Sequence, residues 1–176
     1  MLKQFQDGLL EYCNEHLEPS PYMMKNGYPA MQAKWQSPTG RIYTFIQQAA
    51  PKFMMDRGIY GTISPQQIAN YPMQGFATGD VVPEILGQLL YIPVISNPQS
   101  SMGAFPINTV HDSILFDATY KTVADLQTIG KQIKTCMEQA PDHMKKSFGI
   151  EMTLPFKVDL EYGPNWNEMK RLDLGV

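Results

Sequence analysis

The stretch Ile107-Asn108-Thr109-Val110-His111-Asp112-Ser113-Ile114-Leu115-Phe116-Asp117 sets an imidazole and a carboxylate side by side between two apolar, β-prone runs. Ile107 to Val110 and Ile114 to Phe116 read as strands meeting at a tight turn, which projects Asp112 from the end of a hairpin. Packing on both sides of those strands would hold the carboxylate still. A fixed carboxylate is what a divalent metal needs in order to position phosphate oxygens, and His111 beside it can contact a phosphate or orient the acid. Asp and Ser are also good turn formers, so the same residues suit a hairpin turn with no chemistry of its own.

A second set of side chains has a different character. Ser64-Pro65 predicts a helix start, with Ser as N-cap and Pro in the first turn. Gln67, Asn70, Gln74 and Thr78 then follow at three- and four-residue spacing, and share one face if the helix survives Pro72. The other side carries Ile68, Tyr71, Phe76, Val82, Ile85, Leu86 and Leu89. An amide-bearing face without charge suits hydrogen bonding to base edges or sugars; a solvated or inter-helix polar face has the same pattern.

Composition bounds what these residues can serve. With 176 residues, 43% of them hydrophobic, the expectation is a single domain over residues 1–176 around one core. Cys13 and Cys136 show neither metal spacing nor a disulfide framework, which suggests a reducing, cytoplasmic setting. No apolar run approaches the roughly 20 residues that cross a bilayer, and the N-terminus carries no signal-peptide core, so no membrane association is expected. A net charge of -3 excludes a globally basic nucleic-acid coat. No Lys or Arg occurs between Arg57 and Lys121, so the middle of the chain does not clamp phosphates with cations, and Asp112 has few acidic neighbours in sequence.

The elements that must position these groups follow from periodicity. Residues 4–17 place Phe5, Leu9, Tyr12, Cys13 and Leu17 at helical spacing, ended by Pro19 and Pro21. Ser37-Pro38-Thr39-Gly40 is turn chemistry between Trp35 and the run Ile42 to Phe45, predicting a second hairpin. Residues 46–63 show no period. Pro83 and Pro93 kink or end the next segment, and residues 97–101 form a loop. Thr122-Val123-Ala124-Asp125 opens a helix to about Gln139 with a capping box, buried through Val123, Leu126, Ile129, Ile133 and Met137. Pro141 ends it, a helical turn occupies residues 142–148, and Lys131, Lys134, Lys145 and Lys146 are expected on solvated faces. Residues 152–162 alternate as a half-buried strand, closed by a turn with Trp166 as aromatic anchor. The sum is an α+β fold: a small antiparallel sheet with helices packed on one face.

Taken together, Thr39-Gly40-Arg41, the run Asn70-Tyr71-Pro72-Met73-Gln74-Gly75-Phe76-Ala77-Thr78-Gly79-Asp80, Val110-His111-Asp112 and Tyr162-Gly163-Pro164-Asn165-Trp166 resemble the C-terminal part of family A DNA polymerases. These are enzymes of the bacterial DNA polymerase I type, and the chain is most like their phage replicative members. The resemblance implies that Asp112 is the palm aspartate that holds catalytic Mg²⁺, and that His111 touches the primer terminus. It also implies that Asn70 and Gln74 read the minor-groove side of primer-template DNA. Gln66 stands where the family commonly carries Arg, and Arg41 is a candidate backbone contact, with surface solvation as the alternative. Ser113 departs from the family's usual Glu and is similar to single-subunit RNA polymerases.

The family's chemistry needs two metals about 3.5 to 4 Å apart, held by aspartates from two palm strands, and a cationic fingers helix. No Asp-Tyr-Ser-x-x-Glu-like first motif occurs in the sequence. Lys52 and Tyr60-Gly61 have the separation of the fingers motif. However, Gln48 and Asp56 sit where a cation and an aromatic belong, the order is wrong, and Gly58 interrupts any helix. The resemblance therefore implies a palm fragment that polymerises deoxynucleoside triphosphates only when a second polypeptide supplies fingers, thumb and the first palm aspartate. A truncated remnant, or a non-catalytic module that binds DNA or protein, is the alternative.

Overall fold

The computed structural model describes residues 2–97 and 101–175; Pro98, Gln99 and Ser100 of the expected loop lie outside them. The fold is α+β, and the chain divides into two compact units between Phe76 and Ala77.

The first unit opens with α1 (Leu2–Glu15). The expected apolar stripe is present: Leu9 and Cys13 are buried, with Tyr12 and Leu17 half-buried beside them. Pro19 and Pro21 do stop this helix. They also lie within β1 (Glu18–Met23), an edge strand where a missing N–H is tolerated. β1 pairs with β2 (Pro29–Gln36), which pairs with β3 (Ile42–Ile46), all antiparallel. The predicted Ser37–Gly40 turn joins β2 to β3; Gly40 takes a φ of 86°, and the Ser37 N–H donates to the Arg41 carbonyl at 2.9 Å. Residues 46–63 are nearly as irregular as expected. They hold only a two-residue ladder of β4 (Gln48–Ala49) with β5 (Gly61–Thr62) and the four-residue α2 (Lys52–Met55).

α3 (Pro65–Phe76) closes the unit, with Pro65 in its first turn and the Ile68 N–H donating to the Ser64 carbonyl at 3.2 Å. The helix survives Pro72, which is buried along with Ile68. Ala33, Tyr43, Phe45 and Ile63 complete the core around Leu9, Cys13 and Ile68. Trimming the fully buried Phe45 to Ala removes about 3–5 kcal/mol of this packing. Tyr71, expected on the buried side, is instead 47% exposed: the sheet covers only the width of Ile68 and Pro72.

In the second unit a π-helix (Ala77–Val81) precedes α4 (Val82–Leu89), with Val82, Ile85 and Leu89 buried. The short α5 (Pro93–Ser96) starts at Pro93. The hairpin of β6 (Gly103–Val110) and β7 (Ser113–Thr119) follows. α6 (Val123–Glu138) begins with the predicted capping box: the Asp125 N–H donates to Thr122 Oγ1 at 3.1 Å, and the Thr122 N–H donates to Asp125 Oδ2 at 2.9 Å. Leu126, Ile129, Ile133 and Met137 are buried as expected, whereas Val123 is 62% exposed because the first turn overhangs the core. Pro141 lies in the first turn of α7 (Ala140–Phe148), longer than the single helical turn expected.

Residues 152–162 do not form the expected strand, although their burial alternates through Phe156, Val158, Leu160 and Tyr162. This segment lies extended against α6 with no ladder partner until β8 (Glu161–Tyr162) meets β9 (Lys170–Arg171). Side chains do the work of a neighbouring strand at Val158: its carbonyl accepts from Lys134 Nζ at 2.7 Å, and its N–H donates to Glu138 Oε1 at 3.2 Å. Lys134, expected to be solvated, is therefore a clamp. Beyond β8 the chain makes the expected turn, where Asn165 caps a short 3₁₀ helix (Trp166–Glu168). Trp166 is 61% exposed, on the wall of a cleft, instead of buried as the expected anchor. The expected α+β fold with small antiparallel sheets is present; among the described residues the strands divide into one three-stranded and three two-stranded antiparallel sheets, because the long C-terminal β-like run packs on a helix instead of on the hairpin.

Candidate functional site

Alternation of β-branched residues around a polar centre builds the hairpin as read. Thr109 faces Ile114, Val110 faces Ser113, and only His111 and Asp112 lie between the strands. A two-residue link of this kind needs a positive φ at its first central position, and His111 supplies it at 54°. Pro106 has no N–H for the ladder, and the register slips between Pro106 and Asn108, so that Ile107 bulges from β6. His111, Asp112 and Ser113 are all exposed at the tip.

The hairpin is not packed on both sides, and this corrects the expectation of a carboxylate clamped by neighbouring strands. β6 and β7 form a two-stranded ribbon with Phe105 66%, Ile107 56% and Val110 40% exposed. Between the ribbon, α6 and the C-terminal segment lies a cleft of about 910 Å³. Val110, Asp112, Ile114 and Phe116 line it from the hairpin, Ile129 and Ile133 from α6, and Val158 and Leu160 from the C-terminal segment. Gly130 allows the close approach of that last wall: a Cβ there would meet Leu172 at 2.7 Å and Leu160 at 3.1 Å.

Among the described residues no three His, Cys, Asp or Glu side chains gather as a metal site. A Mg²⁺ ion prefers six oxygen ligands, and at the hairpin tip this chain offers the carboxylate of Asp112. The residues present therefore do not fit a self-contained two-metal centre.

The other candidates lie in the first unit. Gln66, Asn70 and Gln74 follow one another at four-residue spacing on α3, and all three are exposed, so they share a solvent-facing stripe. Gln67 does not belong to that stripe: it is half-buried, and its Oε1 is enclosed without a hydrogen-bond partner. Thr78 falls beyond α3, in the π-helix, where the wider backbone turn breaks the 3.6-residue period. Gly75 sits on the inner side of α3, where the Tyr43 hydroxyl lies directly against it and Tyr43 Cε1 would come within 2.7 Å of an added Cβ. Arg41 is exposed where the β2–β3 turn closes. The resemblance of residues 52–61 to a fingers helix fails in the structure as expected: α2 ends at Met55, Asp56 caps it, and Gly58 adopts a φ of 83°.

Both cysteines are free and buried. Cys13 is fully buried and burial pushes its thiol up to about 11, while the buried Cys136 is also raised. Sequence reasoning missed the Lys134 and Glu138 clamp, for which the four-residue spacing of opposite charges was the available signal. It also missed a stack of Tyr28 on Tyr60, for which no local pattern existed.

Comparison with protein-family models, with curated proteins and with solved structures finds no match to this chain. Among the described residues no helix is long and apolar enough to cross a membrane.

Proposed function

We propose that this chain is the C-terminal palm part of a DNA-directed DNA polymerase of family A type, active only when a second polypeptide completes it. The observation that carries the reading is the hairpin tip. A two-residue turn presents His111 and Asp112 together and exposed, and Asp112 lines a cleft whose wall also includes Gly163, Pro164, Asn165 and Trp166. In this account Asp112 contributes one carboxylate to a Mg²⁺ site whose other aspartate belongs to the partner. His111 contacts the terminal primer nucleotide. Gln66, Asn70 and Gln74, as an uncharged exposed stripe, hydrogen-bond to primer-template DNA, and Arg41 offers a cation to its backbone. The incoming deoxynucleoside triphosphate meets its cationic contacts on the completing chain, since no Lys or Arg stands between Arg57 and Lys121.

What this chain can do unaided is limited by its ligand count. Asp112 supplies at most two oxygens, so the isolated chain should not retain Mg²⁺ or Mn²⁺ at the tip in a titration. The incomplete ribbon agrees with a chain built for completion, because its exposed apolar side chains and unpaired edges are characteristic of surfaces that are covered in an assembly. The test is native co-purification of the chain from its source, with mass spectrometry of what accompanies it. A partner carrying an aspartate-bearing first motif and a Lys-containing fingers helix upholds the proposal. A folded, solitary chain overturns it.

A further inference from the structure

The stack of Tyr28 on Tyr60 joins two segments of the first unit that are far apart in sequence. Residues 24–28 form the turn between β1 and β2: the Met24 N–H donates to the Tyr28 carbonyl at 2.8 Å, and Gly27 takes a φ of 82°. From this turn Asn26 Nδ2 donates to the Tyr60 carbonyl at 2.8 Å, and the Ala50 N–H donates to the same oxygen at 3.0 Å. The backbone at Tyr60 is thereby fixed, and the two rings lie nearly parallel, 4.2 Å apart at 20°. They are not core residues: Tyr28 is 44% exposed and Tyr60 41%, and Phe53 in the same stretch is 62% exposed.

Cations accompany the rings. Lys25 lies in the turn, Lys52 opens α2, and Arg57 follows it; all three are exposed, and among the described residues none of them forms an ion pair with an acid. Asp56 is the sole acid in residues 22–28 and 51–60. Fixed aromatic faces beside unpaired cations are the two ingredients of sequence-tolerant binding to single strands, where bases stack and phosphates are neutralised. A membrane surface also attracts Tyr and Lys, but it is met by a long amphipathic helix, and the only helix in these segments, Lys52–Met55, has four residues.

We propose that this surface binds single-stranded nucleic acid, with Tyr28 and Tyr60 as the stacking platform and Lys25, Lys52 and Arg57 as phosphate contacts. The site shares no residue with the His111–Asp112 tip and does not rest on the polymerase reading. The probe is a fluorescein-labelled oligothymidylate of about a dozen nucleotides, the order of one such binding site. It is titrated by anisotropy with the full chain in EDTA, so that no metal contributes.

Three phosphate contacts give a slope of log K against log salt of about -2 for a single strand, falling to about -0.7 in Lys25→Gln/Arg57→Gln, which leaves one contact. Tyr60→Leu weakens binding about fivefold or more, equivalent to one lost stacking contact. The charge variant alters only exposed side chains, so it tests the proposal even if Tyr60→Leu unfolds the unit. Absence of binding, affinity unchanged in the charge variant, or preference for phosphatidylserine vesicles over the oligonucleotide would each overturn it.

Discussion

Replacing His111 with glycine separates the geometry of the hairpin tip from its chemistry. Among the described residues His111 alone, glycines aside, has a positive φ, 54°. The left-handed region costs an L-residue about 1–2 kcal/mol, which glycine does not incur. Glycine in turn adds about 0.5–1 kcal/mol of unfolded-state entropy, so His111→Gly should stabilise the fold by about 0.5–1 kcal/mol. At this chain length that is a rise of about 1–4 °C in Tm. His111→Val should do the opposite, because a β-branched side chain tolerates positive φ worst, and should lose about 1 kcal/mol or more. Urea unfolding followed by circular dichroism at constant m-value measures both. In a completed polymerase His111→Gly should still lower primer extension, since the imidazole is gone while the turn is kept. Destabilisation of more than about 1 kcal/mol by His111→Gly, or a neutral His111→Val, would refute the turn geometry from which the tip is argued.

Three further outcomes follow from packing and charge. Gly75→Ala drives a Cβ into the ring of Tyr43, so it should destabilise by about 1–3 kcal/mol in chemical denaturation, with Tyr43→Phe recovering part of the loss. Glu138→Ala removes the acceptor of the Val158 N–H and a partner of Lys134; for groups about one-third exposed the loss should be about 1 kcal/mol, with faster proteolysis within residues 150–160. Asp125 is held below the usual carboxylate range, first by the Thr122 backbone N–H and then by that of Lys121. A depressed native value gives stability that is present above the unfolded value near 3.8 and is lost as pH falls through the lower, folded one. Asp125→Asn should therefore flatten the acid limb of the melting curve below about pH 4, with little effect of pH on its difference from wild type at neutrality.

Local chemistry made much of this fold legible. The Ser37–Gly40 turn, the Thr122 and Asp125 box and the tight turn at His111-Asp112 each depend on residues close in sequence and formed where they were read, although Ser113 belongs to β7 and not to the turn's polar centre. β1 was hidden because Pro19 and Pro21 read only as breakers, although an edge strand tolerates both. Alternation in residues 152–162 reported half-burial correctly but could not report what lies alongside; the partner is a helix, and the ladder is absent. For the candidate site, the types and adjacency of His111 and Asp112 were readable, and so was the exposed spacing of Asn70 and Gln74. Packing of the hairpin on both sides was not, because covering a sheet edge depends on chain remote from the hairpin. The change of helical period at Ala77, which removes Thr78 from the amide stripe, likewise leaves no signature in side-chain type.

Primer extension by the native co-purified assembly, with Asp112 intact and as Asp112→Asn, tests the central claim most directly. The exchange keeps the size and turn propensity of the side chain and removes one metal-binding charge. Template-dependent extension in the presence of Mg²⁺, abolished by Asp112→Asn while the assembly still forms, is the result expected. Extension that continues undiminished with asparagine at position 112 would contradict the account and leave the hairpin tip as a structural turn.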